Sequence, residues 1–183
     1  MNTPRGKAIA AALVAAGLVL GSVVGAVVAG AAGRSDRTAA AGGAIDRVGV
    51  VRSTAIFNTS TTSFATIPGA TIKVTVPAGE HVLLIARFTT QDDCTVGDQA
   101  PTGHCLARIL ANTTEMAPAS GGSIIDSVQN GAPAGIGSAA LDRSIGPVGP
   151  GTYTIAVQVK VTSGLMILEV TDWHITVERV RVS

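Results

Sequence analysis

Thr152-Tyr153-Thr154-Ile155-Ala156-Val157-Gln158-Val159-Lys160-Val161-Thr162 puts Tyr153, Ile155, Val157, Val159 and Val161 on one side of the chain. Thr152, Thr154, Gln158, Lys160 and Thr162 fall on the other. A period of two over so long a run is that of a β-strand with one buried and one wet face; at a helical period the same residues would scatter around the axis. The pattern recurs at residues 71–76, where Ile72, Val74 and Val76 alternate with Thr71, Lys73 and Thr75 before the breaker Pro77-Ala78-Gly79. Val82 to Phe88 is apolar except for Arg87, which predicts a strand covered on both sides. Residues 165–171 and 173–182 predict two more strands. In the second, apolar parity passes from Trp173, Ile175 and Val177 to Val180 and Val182, which predicts a bulge near Arg179. Shorter strands are expected at 47–57, 63–67, 105–111, 123–128 and 138–144. About nine strands, and no amphipathic helix after residue 34, define an all-β antiparallel sandwich or barrel over residues 47–183.

Ahead of this body, residues 8–33 carry no charged side chain, with Arg5 and Lys7 before them and Arg34, Asp36 and Arg37 after them. As a helix this stretch spans a hydrocarbon core of about 30 Å. Residues 1–33 therefore read as a signal peptide, with small-residue sites at Ala29-Gly30-Ala31 and Ala39-Ala40-Ala41, or as a single transmembrane anchor with the body outside. Gly17, Gly21 and Gly25 recur every fourth residue and form a candidate helix–helix face if the anchor is retained. The small polar stretch 34–46 reads as a linker. The expected location is the cell membrane, or the exterior after cleavage. Ten arginines against three lysines, in a chain rich in Ala, Gly and Val, fit a bacterial source of high GC content.

The turn Gly146-Pro147-Val148-Gly149-Pro150-Gly151, leading into Thr152-Tyr153-Thr154-Ile155-Ala156-Val157, resembles the conserved Gly-x-Tyr strand of jelly-roll domains of the C1q and tumour-necrosis-factor group. It is also similar to exported bacterial sandwich domains of uncharacterised function. The resemblance covers residues 63–182 and implies a jelly roll and a homotrimer. The closing aromatic strand of C1q domains is replaced by Trp173-His174-Ile175-Thr176-Val177, and no binding residue carries over.

Cys94 and Cys105 flank a polar loop between apolar runs, and in an exported chain they are expected to form one disulfide. The alternative is a metal site with His104, Asp92, Asp93 and Asp98, but the spacing fits neither a zinc motif nor an EF-hand. No metal or cofactor is expected.

Only 14% of residues are charged, five are aromatic, and the chain after residue 33 is nearly neutral, which disfavours nucleic acid as a partner. The sequence holds no G-x-S-x-G, H-E-x-x-H or phosphate-loop motif. His81, His104 and His174 stand apart in sequence, and no enzyme is expected. The leading reading is a cell-envelope binding or structural module. A second is a small-ligand or carbohydrate module centred on Trp173 or on Asp92, Asp93 and Asp98, which requires an exposed indole. A third is a hydrolase whose site assembles in space around a histidine and a carboxylate.

Overall fold

The computed structural model describes residues 43–96, 102–128 and 135–182. The apolar segment 8–33, its Gly17, Gly21 and Gly25 stripe, and Asp98 lie outside them. Ten strands follow in order: β1 (Ile45–Ser53), β2 (Phe57–Thr59), β3 (Ala65–Val76), β4 (Val82–Val96), β5 (Gly103–Ala111), β6 (Thr114–Glu115), β7 (Ser123–Val128), β8 (Gly137–Val148), β9 (Gly151–Val161) and β10 (Met166–Arg181). They form two antiparallel sheets. One runs β1-β10-β4-β8 with β2 beside β10; the other runs β3-β9-β5, with β6 and β7 both on β5. No helix occurs among the described residues.

The pairing is nested. β1 pairs with β10, β3 with β9, β4 with β8 and β5 with β7, as if one long hairpin had folded back on itself. That hairpin is then rolled, because β10 also pairs with β4 and β9 with β5. The alternation that predicted the strands also fills the core. Ile155, Val157, Val159 and Val161 of β9 are fully buried, and Ile72, Val74 and Val76 of β3 lie opposite Leu84, Phe88 and Ile175 in the same apolar cluster.

Several expectations change. β4 alternates strictly instead of being covered on both faces: Leu84, Ala86 and Phe88 point in, while Leu83 and Ile85 are only half-buried and Arg87 is exposed. It also continues through the polar run Thr89–Thr95, because β10 pairs along one edge and β8 along the other as far as Asp92. The expected strands 165–171 and 173–182 are one strand, β10. Its register slips between Thr171 and His174, not at Arg179. Arg179 itself points inward and is buried, so a cation occupies the place that the apolar pattern reserved for a hydrophobe. The residue inserted near it belongs to β1: Ile45 faces Val180 and Arg47 faces Arg179, which leaves Asp46 unpaired between them. Arg179 Nε donates to Asp46 Oδ1 at 2.8 Å, its Nη2 to Asp46 Oδ2 at 2.7 Å, and its Nη1 to the Thr75 carbonyl at 2.6 Å. This anchor starts β1 at Ile45, two residues inside the expected linker.

Cys94 and Cys105 are bonded, with Cα atoms 6.2 Å apart, and both are fully buried. Because β4 and β5 belong to different sheets, the bridge staples the sandwich at one end. β4, β7 and β9 end there and β5, β8 and β10 begin there, while the described chain enters at Gly43 at the other end.

Candidate functional site

The slip in β10 builds the site. Thr171 pairs with Gln91 and His174 with Thr89, so Asp172 and Trp173 together oppose Thr90. Asp172 takes φ 41°, a left-handed conformation that aspartate tolerates better than most residues. Thr90 Oγ1 donates to the Gln91 carbonyl at 2.7 Å and lies 3.1 Å from the Thr171 carbonyl, which occupies acceptors that the broken ladder leaves over. The extra residue turns Trp173 into the core and leaves Asp172 and His174 on the outer face of the sheet.

Two shallow clefts meet at that pair. One, of about 460 Å³, is lined by Arg52, Ser53, Thr54, Asp172, Trp173 and His174. The other, of about 390 Å³, is lined by Thr89, Thr90, Gln91, Ser138, Ala139, Ala140, Asp172 and His174. β1 supplies the first rim, since Arg52 pairs with His174 and Ser53 with Trp173. β8 supplies the second, since Ser138 pairs with Gln91 and Ala140 with Thr89. The His174 ring is held by Thr89 Oγ1, 2.8 Å from Nδ1. A guanidinium, a carboxylate, an imidazole, an amide and several hydroxyls thus share one surface, with two alanines keeping the floor of the second cleft low.

Trp173 is only 2% exposed, and its ring edge lies against Gly69 of β3, where an added Cβ would stand 3.8 Å from Cη2. The indole therefore offers no open face for stacking a sugar, and the expectation of an exposed Trp173 is corrected. Asp92 and Asp93 also fail to form one surface. They point to opposite faces of β4, Asp92 into the core and Asp93 outward. His174 does share its clefts with a carboxylate, Asp172. No hydrogen bond joins the two among the described residues, and the imidazole is bound to Thr89 instead. His81 lies beside Gly149, and His104 buries its Nδ1 without a partner, so neither joins the site.

A second constellation lies beside the disulfide. Asp126 of β7, which sequence reasoning missed, accepts from the Cys94 N–H at 2.9 Å through Oδ2 and from the Ser127 N–H at 2.6 Å through Oδ1. It thereby caps the edge of β4 beyond the last residue paired with β8. Asp92 is 2% exposed, and neither of its carboxyl oxygens has a hydrogen-bond partner. Burial, reinforced by Asp126 and then Asp93, pushes its pKa up to about 7. Asp46 is the opposite case: hydrogen bonds from Arg179, and more weakly from Arg181, outweigh its burial and hold it at about 2.

No protein-family model and no curated protein matches this chain. Among solved structures, a similarity is found to the structure of infectious bursal disease virus Gx strain. It has 15% identity over 76% of this chain and 39% of that one, with a TM-score of 0.28, too low to bear on fold or function.

Proposed function

We propose that this protein is an exported jelly-roll module of the bacterial cell envelope that binds a small polar ligand on the outer face of the β1-β10-β4-β8 sheet. The jelly-roll reading is supported by the nested, rolled pairing of the eight long strands, the arrangement of two Greek keys closed into a sandwich. Export is supported by the disulfide, which belongs to oxidising compartments, and by the uncharged stretch 8–33 behind Arg5 and Lys7. The observation that carries the binding reading is the meeting of the two clefts at Asp172 and His174. Charged donors and acceptors converge there beside small apolar side chains, which suits a ligand rich in hydroxyl groups.

The test is a titration of the detergent-solubilised full chain with a panel of mono- and disaccharides, followed by amide NMR. Shifts are expected at Arg52, Asp172 and His174. Arg52→Ala and Asp172→Asn are each expected to weaken binding by about tenfold or more, the usual value of a hydrogen bond to a charged group. Shifts elsewhere, or affinity unchanged in both variants, would overturn the site.

The edge of the same sheet supports self-association as a second reading. Val48 and Val50, 56% and 58% exposed, lie on β1, which has no neighbour on its outer side among the described residues. A homotrimer is the form that the jelly-roll resemblance implies. Native mass spectrometry of membrane and medium fractions reads stoichiometry and processing of the N-terminal segment together.

A further inference from the structure

Asp92 carries a carboxyl into the interior of the sandwich. It lies on the inward face of β4 between Thr90 and Cys94, both buried, and both of its oxygens are without partners. The residues beside it and paired with it supply no compensating cation. On β4 itself the adjacent titratable group is Asp93. β7 contributes Asp126. β10 places Val170 opposite Asp92 and Glu169 opposite Asp93. β8 places Gly137 opposite Asp92. β5 brings Cys105, tied in the disulfide, and His104, whose Nδ1 is buried and unbonded. Among the described residues, none of Asp92, Asp93 and Asp126 enters an ion pair.

The two inward carboxyls are not equivalent. Asp126 accepts two backbone N–H groups, whereas Asp92 accepts none. A proton at this end is held by Asp92, whose burial disfavours the charged form. Asp126 also ties β7, which is paired along its length with β5, to β4 through the Cys94 N–H. A negative charge arriving on Asp92 would repel that carboxylate in a poorly hydrated space, and opening the contact would let water reach both groups.

We propose that Asp92 is a proton-operated latch on the disulfide end of the sandwich. Protonated, it lets β7 lie against β4. Ionised, it drives β7 off and exposes the surface beneath. The sign follows from linkage. In the open state Asp92 is hydrated and ionises at the ordinary carboxylate value of 3.8, whereas in the closed state it keeps its proton to about 7. Between those limits each pH unit favours opening by up to about tenfold; above them both states are ionised and the equilibrium levels off.

The experiment is amide hydrogen exchange on the full chain from pH 4.5 to 8.5, read at Cys94 and Ser127 as protection factors. Wild-type protection is expected to fall by up to about tenfold per unit and to level off above 7, while Asp92→Asn stays flat over the whole range. A flat wild-type profile, or the same decline in Asp92→Asn, would overturn the latch. Should that variant not fold, the carboxyl carbon of Asp92 is titrated by NMR in the wild-type protein. A midpoint near 7 supports the latch, and one near 3.8 overturns it.

Discussion

Asp46 and Asp92 carry the same carboxyl group into opposite surroundings. Asp46 meets two guanidinium groups, Arg179 at 2.7 Å and Arg181 at 2.7 Å, and Arg181 also reaches Glu80 at 3.2 Å. Its folded-state pKa is depressed from 3.8 to about 2, so its contribution is complete above the unfolded value and is lost as pH falls through the folded one. Asp46→Asn leaves Arg179 buried with its charge uncompensated. It is expected to cost about 2 kcal/mol at neutral pH, allowing for solvent around Arg181, and urea denaturation should show the gap closing between pH 4 and 2. Neither environment was legible beforehand. Asp46 looked like linker because its partner lies far along the chain, and Arg179 looked like a break in the apolar pattern because a buried cation and a bulge produce the same parity change. Cys94 and Cys105 were legible, since a chain with two cysteines leaves one intramolecular pairing. Trp173 shares the apolar face of Ile175 and Val177, and that parity, not the capacity of an indole to stack on a sugar, decides its buried place.

At the scale of the element, the informative feature is the slip in β10. Sequence alternation divides the segment into strands 165–171 and 173–182, a boundary that falls at the slip, but it expects the bulge itself near Arg179. It could not show that the strand continues through the interruption, because continuity depends on β4 pairing on both sides of it. Two substitutions separate backbone from chemistry here. Asp172→Ala places an alanine at φ 41° and is expected to lower stability by about 1 kcal/mol. Asp172→Gly relieves that strain and should melt within about 1 kcal/mol of wild type while still losing the carboxylate that both clefts share. Thermal denaturation of the pair, alongside the saccharide titration, distinguishes a cleft shaped by the bulge from one that needs the acid.

For the whole molecule, the disulfide joins the two sheets at the end where β4 stops and β5 starts. Removing it as Cys94→Ala/Cys105→Ala opens a 12-residue loop and is expected to cost about 3 kcal/mol, a large share of the 5–15 kcal/mol typical of a domain, with urea denaturation as the measurement. The strands were largely readable because each is a local pattern. Their arrangement was not, since nested pairing joins segments that are remote in sequence, and the one turn that resembled a jelly roll carries no information about neighbours.

That nesting orders the events of synthesis. β10 lies inside its sheet, between β1 and β4, yet it is the last strand of the domain to leave the ribosome. Until it emerges, β1 has no paired strand among the described residues and β4 has β8. Contacts between the extremes of a chain form slowly, after the longest loops have closed. A domain of this topology cannot close its β1-β10-β4-β8 sheet until β10 is made, so its folding follows the synthesis of its other strands.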